Sequence, residues 1–211
     1  MIARTLRNTA KTLLLACFVL SCGNAMALPD GNDPVSLVVN GMTGLFKEVD
    51  DNLAKYESDP AALQALVMKD LVPMLDTNYS ARLILGRAGR DIPPEKVQAF
   101  SDAMVNMLVS RYSYGLLQLH STELVKVLPQ KGPLNDKLTR VRSRVVLPDG
   151  GEAPIDYAFH MTADGWKAFD LIVEGISYVT TFRNQIVPEV QANGIDSVIE
   201  RLTTGELQLA E

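Results

Sequence analysis

The residues best equipped for chemistry in this chain are two histidines, His120 and His160, and the carboxylates Asp156, Asp170, Glu174 and Asp50-Asp51. His160 falls, by the period of a strand, on the face opposite an aromatic row and beside Asp156. A histidine–carboxylate pair with Asp156 or Asp170 is therefore conceivable, as general acid–base work requires. The competing reading, which the pattern favours, is a partly exposed histidine among solvated carboxylates. Asp50-Asp51 lies on the polar side of a helix, where charge is expected, and no metal-ligand constellation surrounds it or Glu174. There is no G-x-S-x-G elbow, no H-E-x-x-H, no P-loop and no dinucleotide glycine fingerprint. Cys17 and Cys22 are the only thiols, and both fall in a leader-like segment.

That leader carries Arg4, Arg7 and Lys11, then an apolar run from Thr12 to Leu20 too short to span a bilayer, then Ala25-Met26-Ala27. This is the pattern of a secretory signal peptide over residues 1–27, with cleavage after Ala27 and a soluble periplasmic product. Val19-Leu20-Ser21-Cys22 loosely resembles a lipoprotein box, so the alternative is a chain tethered to a membrane through a lipid on Cys22. Cleavage after Ala27 changes the count of basic against acidic residues from 20 against 25 to 17 against 25, a net −8. Nucleic acid is an unfavourable partner for such a charge. Residues 28–211 are read as one domain with a core of its own and a helical subdomain.

The elements that must position any site follow from periodicity. Asp33-Pro34 starts a helix whose apolar stripe runs Val35, Val38, Met42, Leu45, Val49, Leu53, Tyr56, with Gly41 and Gly44 read as points of close approach. Ser58-Asp59-Pro60 starts a second helix, and a third runs from about Met74 to Leu85. Pro93-Pro94-Glu95 opens the longest, with Val97, Phe100, Met104, Met107, Leu108, Tyr112, Leu116 and Leu119 in helical period to about His120. The helices thus occupy about 34–120.

The period then changes to two, and a sheet is expected over about 122–174: strands from Thr122 to Leu128, Leu138 to Leu147, about Ile155 to Met161, and Trp166 to Val173. Arg140, Arg142 and Arg144 share one face of the second strand, a patch for phosphate or an acidic partner, or simply a solvated face. C-terminal helices over about 177–202 should be kinked or split by Pro188 and interrupted at Gly194. The pattern is α+β: a curved antiparallel sheet of about four strands covered by amphipathic helices.

Two segments carry a family resemblance: Leu75-Asp76-Thr77-Asn78-Tyr79-Ser80-Ala81-Arg82-Leu83-Ile84-Leu85-Gly86, and Asp170-Leu171-Ile172-Val173-Glu174-Gly175-Ile176-Ser177-Tyr178-Val179-Thr180-Thr181-Phe182-Arg183-Asn184-Gln185. Both are similar to marked stretches of the MlaC family, also labelled toluene-tolerance proteins, and the resemblance extends from about Asp33 to Leu202. It implies a nuclear-transport-factor-2-like sheet with a helical subdomain, and a periplasmic shuttle that holds phospholipid tails inside and helps maintain outer-membrane lipid asymmetry. It implies as partners an inner-membrane ABC transporter complex, met through its MlaD subunit, and an outer-membrane complex of MlaA with a porin. Phospholipid is the ligand; no cofactor, metal or catalysis is called for. Arg87-Ala88-Gly89-Arg90 and Ile92-Pro93 depart from the family, which often has aromatics and Thr-Pro there.

From the faces, the expected lipid-binding lining is Tyr79, Leu83, Phe100, Met104, Met107, Leu108 and Tyr112 on the helices. The sheet is expected to add Tyr157, Phe159, Phe169, Leu171 and Val173. Two rival functions use a similar cavity: a small-molecule enzyme, which needs His160 or Asp170 to face it, and a chaperone for lipoproteins.

Overall fold

A computed structural model describes residues 33–118, 125–129, 135, 137–146 and 150–209. The leader with both cysteines, His120, and the outer ends of the first two expected strands lie outside the described residues. Asp33 caps the first helix, its Oδ1 accepting from the amides of Val35 at 2.8 Å and Ser36 at 3.1 Å. With Pro34 at the first position this starts α1 (Pro34–Asp51), followed by α2 (Leu53–Ser58) and α3 (Pro60–Asp70), the last capped by Asp59. A 3₁₀ turn at Val72–Met74 leads to α4 (Thr77–Leu85), and a second at Gly86–Gly89 precedes α5 (Pro94–Tyr112). The expected third helix thus starts later than Met74, because Pro73 imposes the turn and Asp76 supplies the cap. α5, read from sequence as running to about His120, ends earlier, at Tyr112, and tightens into a 3₁₀ segment, Ser113–Gln118.

The sheet is an antiparallel meander in the order β1 (Val125–Val127), β2 (Leu138–Val146), β3 (Glu152–Thr162), β4 (Gly165–Val173), β5 (Ile176–Ser177). The two-residue β5 was not foreseen. Glu174 and Gly175 both have positive φ, at 51° and 85°, the geometry of a two-residue hairpin whose twist suits the strands it joins. β3 and β4 lose register between Ala158 and Phe159, which leaves Phe169 as an extra residue on β4.

The final helix, α6 (Tyr178–Thr204), passes through Pro188 with helical dihedrals and breaks only at Gly194, φ 77° and ψ 163°. The break is large. Glu189 and Arg201 lie twelve residues apart, which would separate them by about 18 Å along a straight helix; instead Arg201 Nη1 donates to Glu189 Oε2 at 2.6 Å. A Cβ at Gly194 would meet nothing within 4 Å, so only backbone strain opposes a side chain there. Gly194→Ala is therefore expected to lower unfolding stability by about 1–3 kcal/mol in urea titration. Gly41 and Gly44, read alike from sequence, differ: a Cβ on Gly41 would lie 2.5 Å from Met74 Cε, whereas Gly44 faces open space.

The buried residues form three clusters. One joins α4, α5 and α6 through Leu85, Val97, Phe100, Ile186 and Val198. A second holds α1, α2 and α3 through Leu45, Val49, Tyr56 and Leu63, and a third seats α1 on the sheet through Val38, Val141, Phe159 and Ala168. A domain of this size usually has one contiguous core. Here a cavity lies between the first cluster and the third, lined by members of both.

Candidate functional site: an apolar cavity between sheet and helices

The cavity has a volume of about 490 Å³, within the range of small-molecule sites. Its floor is the sheet, with Ile155, Tyr157 and Phe159 from β3 and Ala168, Phe169 and Leu171 from β4. Along one side runs α5, contributing Ser101, Met104, Val105, Leu108, Val109 and Tyr112, a strip about 16 Å long at 1.5 Å per residue. Val38 and Met42 of α1, Val67 of α3, and the Leu71–Leu75 turn close the opposite side. Leu75, 38% exposed, is where that wall reaches the surface.

Seven of the twelve expected lining residues face this cavity: Met104, Leu108, Tyr112, Tyr157, Phe159, Phe169 and Leu171. The other five do not line it. Phe100 is fully buried in the helical cluster, and Leu83 and Met107 pack against the same cluster. Met107 also borders a larger, mixed polar and apolar depression of about 940 Å³ between α3, α5 and the end of α6. We place the candidate site in the smaller cavity because its wall is almost wholly carbon. Tyr79 stacks on His160 with centroids 4.3 Å apart, and Val173 ends β4, paired with Ile155 and Ile176. Residues not foreseen as lining include Val38, Met42, Met74, Ile84 and Ser101. For Val38 and Met42 the signal was present, since they lie on the recognised stripe of α1.

The polar groups around the cavity hold its walls together. His160 does not pair with Asp156 or Asp170; its Nε2 lies 3.0 Å from Asp76 Oδ2. Strand period shows only neighbours within the sheet, and Asp76 arrives from 84 positions away because Leu75 bridges to Ala168 on the open edge of β4. Asp76 also caps α4 through the Tyr79 amide, and its own amide donates to the Ala168 carbonyl. Ser80 adds a 2.7 Å hydrogen bond to the Phe169 carbonyl, beside the bulge. Asp170 touches the cavity, but its Oδ2 accepts from Ser177 Oγ at 2.6 Å and its Oδ1 from the Val179 amide at 3.0 Å, fixing the start of α6. Arg183 Nε then donates to the Leu83 carbonyl at 2.7 Å. The two resemblance-bearing segments thus meet near the C-terminal end of α4, where Arg183 reaches Leu83.

Tyr157 is hydrogen-bonded to Ser143, and burial pushes its hydroxyl pKa up, only partly opposed by that bond. A raised folded value means this phenol's contribution is complete below its ordinary pKa of about 10 and is lost as pH rises through the raised value. Stability of the wild type should therefore fall more steeply above pH ~10 than that of Tyr157→Phe, compared by urea unfolding at several alkaline pH values. Parallel curves would remove Tyr157 from the account.

On the opposite face of the sheet, two of the three β2 arginines have local partners. Arg140 lies 3.6 Å from Asp156, and Arg142 donates to the Pro129 carbonyl. Among the described residues no group of three or more His, Cys, Asp or Glu could hold a metal, and no helix is long and apolar enough to cross a membrane.

An open antiparallel sheet with helices folded over an apolar hollow defines a ligand-holding α+β domain. The chain belongs to the MlaC family: the family model, described as MlaC protein, matches residues 40–204. It is 27% identical over 164 residues to the toluene tolerance protein ttg2D of Pseudomonas putida, covering 77% of this chain and 75% of that protein. It is 22% identical over 173 residues to the intermembrane phospholipid transport system binding protein MlaC of Haemophilus influenzae, covering 80% of each. Its fold is shared with a phospholipid-binding protein from Ralstonia solanacearum, solved in complex with a phospholipid. The TM-score is 0.71 at 20% identity, over 79% of this chain and 93% of that one.

Proposed function

We propose that residues 28–211 form a phospholipid carrier that shields acyl chains in the cavity and performs no chemistry on them. The observation that carries this reading is the cavity itself, about 490 Å³ walled by Met104, Leu108, Phe159, Phe169, Leu171 and their neighbours. Family membership and the functions of the relatives named above support it. Transferring an acyl chain of about fifteen methylenes through water without shielding meets a barrier on the order of 12 kcal/mol at about 0.8 kcal/mol per methylene. A cavity that matches the bilayer interior as an apolar solvent removes that barrier and leaves loading and unloading nearly balanced.

The route we infer is the periplasm, reached by the leader over residues 1–27, with the protein free after cleavage or tethered through Cys22. It carries lipid between inner and outer membranes and sustains outer-membrane asymmetry. The partners are the inner-membrane transporter complex, through MlaD, and the outer-membrane MlaA–porin complex. Arg144 and its neighbours on β2 offer one face for an acidic partner.

Native mass spectrometry of the purified mature protein, followed by extraction of its bound molecules, tests the reading. Diacyl phospholipid in fixed stoichiometry is the expected result. A protein that stays unloaded after incubation with phospholipid vesicles would overturn it, and a recovered lipopeptide would move the weight to a lipoprotein chaperone.

A further inference from the structure

Ser101 lies inside α5, is 1% exposed, and lines the cavity. Its Oγ is buried with no hydrogen-bond partner. A serine within a helix commonly returns its hydroxyl to a carbonyl one turn back, and Ser80, also on the wall, does so with Asp76. Ser101 does not. The buried lining of the helical cluster is Ala81, Ile84, Met104, Val179 and Phe182, whose side chains offer only carbon and sulfur, with Tyr178 packed against it. Of the other polar side chains on the wall, which include Thr77, Tyr112, Ser113 and Tyr178, three have named partners: Ser80 also binds the Phe169 carbonyl, Asp170 holds Ser177 and Val179, and Tyr157 holds Ser143. Alanine at position 101 would favour the helix more and leave no hydroxyl unmet. An unpartnered, buried hydroxyl on the wall of an apolar hollow gains a partner when the occupant brings it an oxygen.

We propose that Ser101 is a binding residue whose hydroxyl donates to an oxygen on the acyl portion of the lipid. The cavity then selects among chains by where they carry oxygen and not by length alone. This deepens the phospholipid reading and rests on it. The shared chemistry is an uncharged oxygen acceptor, which a lipid supplies either as the carbonyl of its glycerol ester or as an oxygen substituent along the chain.

The test loads delipidated wild-type protein and Ser101→Ala from vesicles of three phosphatidylethanolamines matched in headgroup and chain length: a diester, a diether, and a diester with hydroxylated chains. Bound lipid is counted by native mass spectrometry, and melting curves confirm that both proteins are folded. If the ester carbonyl is the acceptor, the wild type prefers diester to diether by about three- to tenfold, the range of one neutral hydrogen bond. Ser101→Ala loses that preference. If a chain oxygen is the acceptor, the wild type ignores the ester–ether difference, prefers the hydroxylated lipid by a similar factor, and the variant again does not. Equal loading of all three lipids by both proteins would overturn the proposal while leaving the carrier reading intact. Failure of every lipid to load the wild type would overturn the carrier reading, and this proposal with it.

Discussion

Leu108→Arg is expected to cut the phospholipid recovered per folded protein at least tenfold while the domain still unfolds cooperatively. Leu108 is half-buried on the cavity side of α5, between Met104 and Tyr112 on the same wall. A guanidinium introduced there has two courses. It projects into the hollow and sets a charge against hydrocarbon, or it bends along the wall toward water, as long cationic side chains do, and its stem fills part of the same space. Each methylene excluded from the cavity forfeits about 0.8 kcal/mol of shielding, and about 1.4 kcal/mol is a factor of ten in affinity, so displacing only a few methylenes suffices. The charge keeps a path to water, so the penalty on folding is smaller. Lipid extraction with a thermal melt measures both, and a folded variant with a normal lipid load would remove Leu108 from the lining.

Phe100→Ala should do the reverse. Phe100 is two helical turns away on the same helix, 0% exposed, and packed among α4, α5 and α6 away from the cavity. Truncating such a ring costs about 3–5 kcal/mol, through lost transfer energy and the void left behind. That is a large part of the roughly 5–15 kcal/mol that holds a typical domain folded. The midpoint of urea unfolding should drop accordingly, while the molecules that remain folded carry the usual amount of lipid. Loss of lipid from a still-folded Phe100→Ala protein would mean that the ring does reach the hollow.

The contrast between these two residues shows what sequence could and could not supply. Both belong to one apolar stripe, and the stripe correctly announced a buried helix. Residues four apart on an α-helix differ by about 40° in direction, so the stripe turns by roughly 120° between Phe100 and Tyr112. Its early members enter the helical cluster and its later ones face the hollow. Hydrophobicity reports that a side chain avoids water; it does not report whether protein or empty space stands opposite. The sheet was legible because alternation over Leu138–Val146 and Ile155–Phe159 is clean, and the α+β order of helices before a meander was legible for the same reason.

Long-range polar contacts were hidden for a different cause. The only partners that strand period offers His160 are carboxylates of its own sheet, and its actual partner, Asp76, becomes a neighbour only when the Leu75 bridge closes onto β4. Pro188 was given too much weight, since removing one amide donor does not break a helix flanked on both sides by tertiary contacts, whereas Gly194 adopts dihedrals that no helix contains. Ser101 carries no signal in the sequence, because a serine between apolar positions reads as a neutral member of a helix.

The hollow between the helical cluster and the sheet cluster also has a volumetric meaning. Unfolding releases packing voids to solvent, and the volume decrease on unfolding scales with the voids that disappear. With a space of about 490 Å³ between its helical and sheet clusters, the unloaded protein is expected to be the more compressible form and the one that hydrostatic pressure opens first. On the proposed function, a bound chain would fill the space between the helical and sheet clusters and serve as the last piece of the core. Such a carrier would be most rigid when loaded and softest at the moment it must accept a new molecule.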